Sequence, residues 1–373
     1  MNEKSHMIDP QRLRRLLRRL IDIYSPSGKE EEILSYIHGY LTRRGLPAIR
    51  QEVDDSRYNL VVVPAETDVR LALIGHVDTV VAYEFDNYGY EEQEGLIFGL
   101  GASDMKSGCA AMIEAYLSLC SGGIQKLPVA LALVVGEEEE GDGAEQLVEE
   151  YHFPWAIVAE PTDLRPCLSC YGYMEIQIST RGKRVHASLA SQNQNPIENM
   201  LHILLDLTHY MMQKRPEGIY NIRDILSTQA GFAVPEWCEA WLDVHLPPNA
   251  ALGEVSLELE ELVDQFSKKN SQIDTTIRLV TIEGGYELPE KGTVVEALKT
   301  VYSKHSQPWD PQAFPSHSDA NQLWASGVKP ILLGPGQLAK AHAPEESVSF
   351  QQVVTAAELY RDLILSLISS DAS

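Results

Sequence analysis

Residues 71–78 read Leu-Ala-Leu-Ile-Gly-His-Val-Asp, an apolar run that ends in a histidine and an aspartate. The run is short and lacks polar alternation, which is typical of a strand buried on both faces. Apolar runs of similar length occupy residues 59–63, 129–135, 155–159 and 330–334. Helical patterns, such as residues 105–120, lie between some of these runs. The alternation predicts an α/β domain whose sheet is covered by helices on both faces.

The stretch from residue 172 to residue 283 has a different pattern. Residues 173–180 alternate apolar and polar side chains, which indicates a strand with one solvated face. Further strands are expected at residues 237–246 and 274–282, and a helix at residues 254–266. A second helix is indicated by an apolar stripe that consists of Ile197, Met200, Leu201, Leu204 and Leu205. We therefore expect a small α+β domain here, inserted between residues 1–171 and 284–373 of the larger domain.

The segment Ser27-Gly-Lys-Glu30 has the form of a capping box. In such a box Ser27 accepts a hydrogen bond from a free backbone amide of the first turn, and Glu30 reaches back. Apolar residues at helical spacing follow, and Gly45 is suited to end the helix. The sequence therefore predicts a helix that is capped by Ser27 and ends at Gly45.

Four of the apolar runs lead into histidines or carboxylates. In chain order, these side chains are His76 and Asp78, Glu137 and Glu138, Glu160, and His342. Asp104 joins them from the glycine-rich segment 99–108, just ahead of the helical pattern. Because ligands of α/β sheets bind at the carboxyl ends of strands, we expect these groups to converge on one cleft.

Carboxylates and imidazoles gathered in one place require cations, since unpaired carboxylates repel each other. Two divalent ions would bring four positive charges, and Asp104, Glu138, Glu160 and a bridging hydroxide would balance them. Mixed nitrogen and oxygen ligands suit Zn²⁺ and also accept Co²⁺ or Mn²⁺. The pair His76 and Asp78 is typical of a ligand whose second nitrogen is held by a carboxylate.

The composition excludes several classes of function. The formal charge is −24, from 54 acidic and 30 basic residues, which disfavours nucleic-acid and membrane partners. No apolar run reaches the roughly 20 residues of a membrane span. Five cysteines and no recognisable secretory signal lead us to expect a reduced, cytoplasmic protein. Cys167-x-x-Cys170 lacks a second CxxC pair, so buried thiols are the preferred interpretation.

The chain resembles the co-catalytic zinc metallopeptidases and deacylases, which include acetylornithine deacetylase, succinyl-diaminopimelate desuccinylase, aminoacylase and glutamate carboxypeptidase. The matching segments, in the family's order, are residues 75–80, 99–108, 135–144, 159–162 and 334–346. The resemblance implies a zinc-peptidase-like catalytic domain with a mixed sheet. It also implies that residues 172–283 form a ferredoxin-like dimerisation (lid) domain, so that the protein is a homodimer.

The resemblance also implies a role for each site residue. His76, Asp104 and Glu160 would hold one metal, and Asp104, Glu138 and His342 the other. Asp78 would orient His76. Glu137 would be the general base that activates metal-bound water and later protonates the leaving amine. His186 would reach from one subunit into its partner's cleft and stabilise the tetrahedral oxyanion.

Three features leave alternatives open. The run Glu137–Glu140 permits a shifted register with Glu138 as base and Glu139 as ligand, although the first register aligns without a gap. Asn321 stands where many members carry an arginine that grips the substrate. His245 likewise replaces a common arginine. The segments 25–28 and 344–346, with Asn321, are most similar to lysine and ornithine deacetylases or carboxypeptidases.

These features predict a metal-dependent deacylase of a small N-acyl amino acid, such as N-acetylornithine or N-acetyl-lysine. A carboxypeptidase or dipeptidase with the same metals is the alternative, because both reactions need the same residues. A catalytically inactive relative that serves as a binding module is disfavoured, since every expected metal ligand is present.

Overall fold

The computed structural model describes residues 6–64, 68–82, 88–124, 127–191, 194–270 and 272–369. The chain divides into two compact units. The larger contains Met1–Leu168, Leu288–Phe314 and Ser318–Ser373, and the smaller contains Ser169–Glu287 and Pro315–His317. The sequence placed the insertion at residues 172–283, so the two divisions differ by a few residues and by the short segment at 315–317.

The helices are named in chain order. They are α1 (Pro10–Asp22), α2 (Glu31–Thr42), α3 (Lys106–Ser121), α4 (Asp142–Glu150), α5 (Pro196–Lys214), α6 (Leu252–Lys269), α7 (Thr293–Lys304), α8 (Asp319–Ala325) and α9 (Phe350–Ser369). Within the described ranges, none of them combines the length and apolar character needed to cross a bilayer.

The strands are numbered in the same way. They are β1 (Ile49–Glu52), β2 (Tyr58–Val62), β3 (Leu71–His76), β4 (Glu91–Gln93), β5 (Leu96–Phe98), β6 (Val129–Val134), β7 (Trp155–Val158), β8 (Cys167–Cys170), β9 (Gly172–Arg181), β10 (Ile219–Ser227), β11 (Trp237–Leu246), β12 (Asp274–Glu283), β13 (Tyr286–Glu287), β14 (Gln312–Phe314), β15 (Lys329–Leu332) and β16 (Ser347–Ser349).

The larger unit is built on a mixed sheet with the strand order β1-β2-β6-β3-β7-β15-β8. The four strands β6, β3, β7 and β15 are parallel to one another, whereas β1, β2 and β8 pair in the antiparallel sense. Every residue of β3 and β6 is buried, which requires cover on both faces of the sheet. This is the predicted fold class of a mixed sheet flanked by helices, and it is confirmed.

The smaller unit has the element order β9-α5-β10-β11-α6-β12 and the antiparallel strand order β10-β11-β9-β12. This arrangement is the ferredoxin-like βαββαβ motif. Apolar side chains of β9 and β11 alternate with polar ones and pack with α5 and α6 into one core. The inserted α+β architecture is therefore as predicted, whereas its role in dimerisation stays a prediction.

Strand β10 was not expected from the sequence. Its pairing with β11 shifts register between Ile222 and Asp224, so the apolar side chains do not follow a strict period of two. The strand also lies at the edge of the smaller sheet, where most of its residues are exposed. A bulge and an exposed edge together remove the alternation by which a strand is recognised.

The predicted apolar stripe on α5 is partly wrong. Met200 and Leu204 are buried as expected, but Leu201 and Leu205 are 49% and 56% exposed. The helix instead buries a face that consists of Met200, Ile203, Leu204, Leu207 and Met211. Apolar residues surround more of the helix than one core can cover, so the sequence pattern did not identify the buried face.

The predicted capping box before α2 is also wrong. The residue at the cap is Glu30, and it makes no side-chain hydrogen bond to the helix. The Ser27 hydroxyl instead donates to Asp78 Oδ2 at 2.8 Å. A contact between distant parts of the chain thus replaces the local cap.

Candidate active site

The carboxyl ends of β6, β3, β7 and β15 lie along one edge of the sheet, because the four strands are adjacent and parallel. The predicted side chains follow these ends: Glu137 and Glu138 after β6, His76 and Asp78 at β3, Glu160 after β7, and His342 after β15. Asp104 lies on the loop before α3. The structure brings these residues together as the strand-end argument predicts.

Two groups of three side chains at this edge have ligand atoms within 4.8 Å of one another. The first group is His76, Asp104 and Glu160, and the second is Asp104, Glu138 and His342. Asp104 belongs to both: its Oδ1 lies 3.2 Å from His76 Nε2, and its Oδ2 lies 3.7 Å from His342 Nε2. The groups coincide with the two ligand sets that the resemblance implies, and metal binding by them stays a prediction.

The imidazole of His76 is held by its Nδ1 side. Nδ1 lies 3.1 Å from the backbone oxygen of Asp78 and 3.5 Å from Asp78 Oδ1. Because a carbonyl oxygen can only accept, this contact places the proton of the neutral ring on Nδ1. Nε2 faces Asp104 Oδ1 at 3.2 Å and Glu137 Oε2 at 3.7 Å. Without metal it can donate to these carboxylates, and with metal its lone pair would be the ligand.

Asp78 is a buried junction between three segments of the chain. Its Oδ2 accepts hydrogen bonds from the Ser27 hydroxyl and from the Glu138 backbone amide, at 2.8 and 3.0 Å. Burial alone would raise the pKa of Asp78, but His76 and these two donors lower it. Sequence reasoning missed Ser27, because its partner is 51 residues away and no local pattern indicates the contact.

The acidic run after β6 forms a tight turn. The amides of Glu139, Glu140 and Gly141 all point at the backbone oxygen of Gly136. The turn places Glu138 Oε2 2.9 Å from His342 Nε2, and it leaves Glu139 and Glu140 exposed. This geometry favours the register with Glu137 and Glu138 in the site.

His342 lies on an irregular segment after β15. Its backbone adopts a left-handed conformation with φ of 56°, which non-glycine residues rarely do, and its side chain is 51% exposed. Four residues later, the Glu346 carboxylate accepts hydrogen bonds from the backbone amides of Gly101, Ser103 and Asp104. The sequence analysis used Glu346 only as part of a matching family segment and of the branch pattern at 344–346, and it missed this contact.

The site concentrates negative charge. Burial raises the pKa of Glu160 and Glu137 well above their usual range, and nearby carboxylates add to the effect. The hydrogen bond to Glu138 raises the pKa of His342 to about 9. Burial alone would lower the pKa of His76, but Glu137, Asp104 and Asp78 raise it well above its usual range. The cluster thus favours added positive charge.

The donor set fits divalent cations. Among the described residues, Glu138 Oε1 and Glu160 Oε1 are buried without a hydrogen-bond partner, although buried carboxylate oxygens are normally paired. With Nδ1 held by the Asp78 backbone oxygen, His76 would offer Nε2 to a metal in the same space. Nitrogen and carboxylate donors together are the mixture that Zn²⁺ and similar ions accept.

His186 lies in the smaller unit, where it caps a 3₁₀ turn. The imidazole is exposed, and its Nδ1 accepts a hydrogen bond from the Ser188 amide at 3.2 Å. An accepting Nδ1 leaves the proton of the neutral ring on Nε2, so the outward nitrogen is a donor.

The two departures from the family pattern have different surroundings. Asn321 is buried in the first turn of α8, and its Oδ1 accepts from the Ser318 amide at 3.0 Å. With Ser318 it forms a capping box, so this side chain stabilises a helix end. The His245 ring packs beside Tyr173 and His317 in the smaller unit, and burial lowers its pKa.

Comparison with known proteins agrees with this geometry. The sequence profile of peptidase family M20/M25/M40 matches residues 72–366. The chain belongs to this family. The predicted family relationship is thereby confirmed, and so is the enzyme class: this M20 protein is a metallohydrolase that acts on C–N amide bonds.

Relatives with named activities extend over most of the chain. An N-formyl-4-amino-5-aminomethyl-2-methylpyrimidine deformylase of Bacillus subtilis is 27% identical, with 91% of this chain and 90% of the relative covered. An acetylornithine deacetylase of Pasteurella multocida is also 27% identical, and 83% of each chain is covered.

Solved structures share the fold of this M20 protein. Human carnosine dipeptidase 1 superposes with a TM-score of 0.78 at 15% identity, over 96% of this chain and 97% of that chain. A Staphylococcus aureus tripeptidase gives 0.78 at 20% identity, over 96% and 99%. At these identities the likeness concerns the fold alone.

Proposed function

We propose that this M20 hydrolase removes the acyl group from a small N-acyl amino acid, in the manner of an acetylornithine or acetyl-lysine deacetylase. The observation that carries the metal-dependent chemistry is the pair of ligand groups that share Asp104. The deacylase assignment is supported by the two relatives above, whose names describe removal of a formyl and an acetyl group.

The proposed cofactor is a pair of Zn²⁺ ions, with Co²⁺ or Mn²⁺ as substitutes. His76, Asp104 and Glu160 would hold one ion, and Asp104, Glu138 and His342 the other. Bound divalent ions would supply Lewis-acid activation of the scissile carbonyl and of the attacking water.

Glu137 is the proposed general base. It belongs to neither ligand group, and unlike the fully buried Asp78 its side chain is 13% exposed at the edge where substrate must bind. Its carboxylate takes a proton from the attacking water and delivers one to the leaving amine. Burial raises the pKa of Glu137, which suits a group that must hold a proton between these two transfers.

Asp78 is proposed to keep His76 in its ligand geometry. Its backbone and carboxylate oxygens both face Nδ1, while Ser27 and Glu138 fix the carboxylate from the other side. The arrangement joins one ligand group to the turn that carries the base.

His186 is proposed to act from the partner subunit of a homodimer, where it would donate Nε2–H to the developing oxyanion. The smaller unit offers apolar surface for such a dimer. Leu201, Leu205 and Met212 of α5 are exposed, and edge strand β10 also exposes apolar side chains.

His186→Ala is expected to lower kcat/KM by about 10²–10³-fold, because loss of one oxyanion donor typically has an effect of this size. The metal content should not change. His152→Ala is the matched control, since His152 is also exposed but precedes β7 at the end of the strand away from Glu160. A normal rate for His186→Ala would contradict the assignment.

Mixed dimers separate action in trans from action in cis. If His186 acts on its partner, mixing inactive His186→Ala and Glu137→Gln subunits should restore about a quarter of the wild-type sites, as expected for statistical two-fold dimers. If His186 instead acts within its own subunit, no site in the mixture contains both His186 and Glu137, and activity stays at the level of the separate variants.

Removal and return of metal tests the proposed substrate class. Chelator-treated enzyme should release no amine from N-acetylornithine, N-acetyl-lysine or a set of dipeptides, and Zn²⁺ or Co²⁺ should restore activity towards the acetylated amino acids. Amine release is measured directly, with metal content determined on the same samples. Restored cleavage of dipeptides alone would replace the deacylase with a carboxypeptidase or dipeptidase.

A further inference from the structure

Two loops that each supply a proposed ligand are tied together at two points. The Ser103 hydroxyl donates to the Gln337 backbone oxygen and accepts from the Gln337 amide, both at 3.1 Å. At the second point the Glu346 carboxylate accepts hydrogen bonds from three backbone amides of the loop that carries Asp104. The Gly99 amide also donates to the Glu346 backbone oxygen, at 3.2 Å. His342 lies between these two points.

The Glu346 carboxylate is arranged to use both of its oxygens. Oε1 accepts from the Ser103 and Asp104 amides at 2.8 and 2.9 Å, and Oε2 accepts from the Gly101 amide at 2.9 Å. Glu346 is 4% exposed. Removal of its carboxylate would therefore leave these amides without a partner in a place that water does not readily reach.

His342 depends on such an anchor more than the other proposed ligands do. His76 ends a strand whose residues are all buried, and Glu160 comes two residues after β7, which is buried as well. His342 instead lies ten residues after β15 (332 to 342), with a half-exposed side chain and a left-handed backbone. Its position relative to Asp104 is therefore set by the contacts at Ser103 and Glu346, together with the pairing of β16 with β5 just beyond Glu346.

We propose that Glu346 is a positioning residue for the Asp104, Glu138 and His342 metal position, where it fixes the distance between the loop of Asp104 and the segment of His342. This inference rests on the proposed di-metal function. It predicts unequal effects on the two positions, because His76 and Glu160 are held by the sheet.

The test is a Zn²⁺ titration of metal-free protein by calorimetry, with anomalous diffraction at the zinc edge to measure occupancy at each position. Glu346→Gln replaces one accepting oxygen with an NH₂ group and leaves an amide without a partner. We expect about 10–100-fold weaker binding at the His342 position, the range for loss of an outer-sphere partner. The effect at the His76 position should be smaller, because only its shared ligand Asp104 lies on the loop that Glu346 holds.

Glu345→Gln is the matched control, because it removes the same charge from an exposed neighbour. Ser103→Ala provides a second variant should Glu346→Gln fail to fold, and it should weaken the same position through the other anchor. The retained His76 position also reports that the variant is folded.

The outcomes separate this inference from the function on which it rests. Wild-type protein that binds fewer than two equivalents would refute the di-metal proposal itself. Wild-type protein with two equivalents and variants with unaltered binding would refute only the role of Glu346. Equal loss at both positions would also overturn it, since Glu346 would then support the fold as a whole.

Discussion

Asp104→Ala should abolish both metal positions and reduce turnover to the uncatalysed background, whereas His342→Ala should abolish only one position. The difference follows from the geometry, because Asp104 presents one oxygen towards His76 and the other towards His342. Each ligand group has three members, so the loss of Asp104 leaves two protein ligands in both. The measurement is metal content per chain after gel filtration, together with the rate of amine release.

The contrast between these variants also controls for folding. Without metal, Asp104 repels Glu138 and Glu160, whose pKa it raises, but it also attracts the imidazoles of His76 and His342. Because its removal takes away both effects, thermal unfolding of metal-free Asp104→Ala should show a midpoint close to that of metal-free wild type. Retention of two metals by Asp104→Ala would contradict the shared-ligand assignment.

The strand-end residues could be predicted because they depend on a strong local signal. Runs such as residues 71–75 and 129–135 are apolar without interruption, since both faces of these strands are covered. The next polar residues then lie at the carboxyl edge, where parallel strands bring their ends together. The positions of His76, of the pair Glu137 and Glu138, and of Glu160 follow from this reasoning, whereas the choice of ligands among them came from the resemblance.

The supporting residues could not be predicted in this way. Ser27 contacts Asp78 across 51 residues, and Glu346 contacts Asp104 across 242 residues. Neither contact is associated with a periodic pattern in the sequence. Ser27 even fits a capping box, which the structure does not contain. Long-range hydrogen bonds of this kind can be identified only when the three-dimensional positions of the loops are known.

Asn321 has a contact that the sequence analysis did not predict. The resemblance noted only that many members carry a substrate-gripping arginine at this position. In the structure its amide oxygen closes the capping box of α8.

Glu137→Gln should lower kcat by about 10²–10⁴-fold, the usual contribution of a general base, while both metals stay bound. The amide keeps the size and hydrogen-bonding reach of the side chain but cannot take a proton from water. Glu139→Gln is the matched control: it removes the same charge from an exposed side chain of the same turn. That variant should retain nearly full activity.

The same variants decide the register of the acidic run. With Glu137 as base and Glu138 as ligand, Glu138→Gln loses the metal beside His342 and Glu139→Gln loses nothing. In the shifted register Glu138→Gln keeps both metals without turnover, and Glu139→Gln loses one. The 2.9 Å contact between Glu138 and His342, with Glu139 directed to solvent, leads us to expect the first pattern. Metal content and rate measured on the three variants distinguish the patterns, because in each register a different residue combines full metal content with loss of turnover.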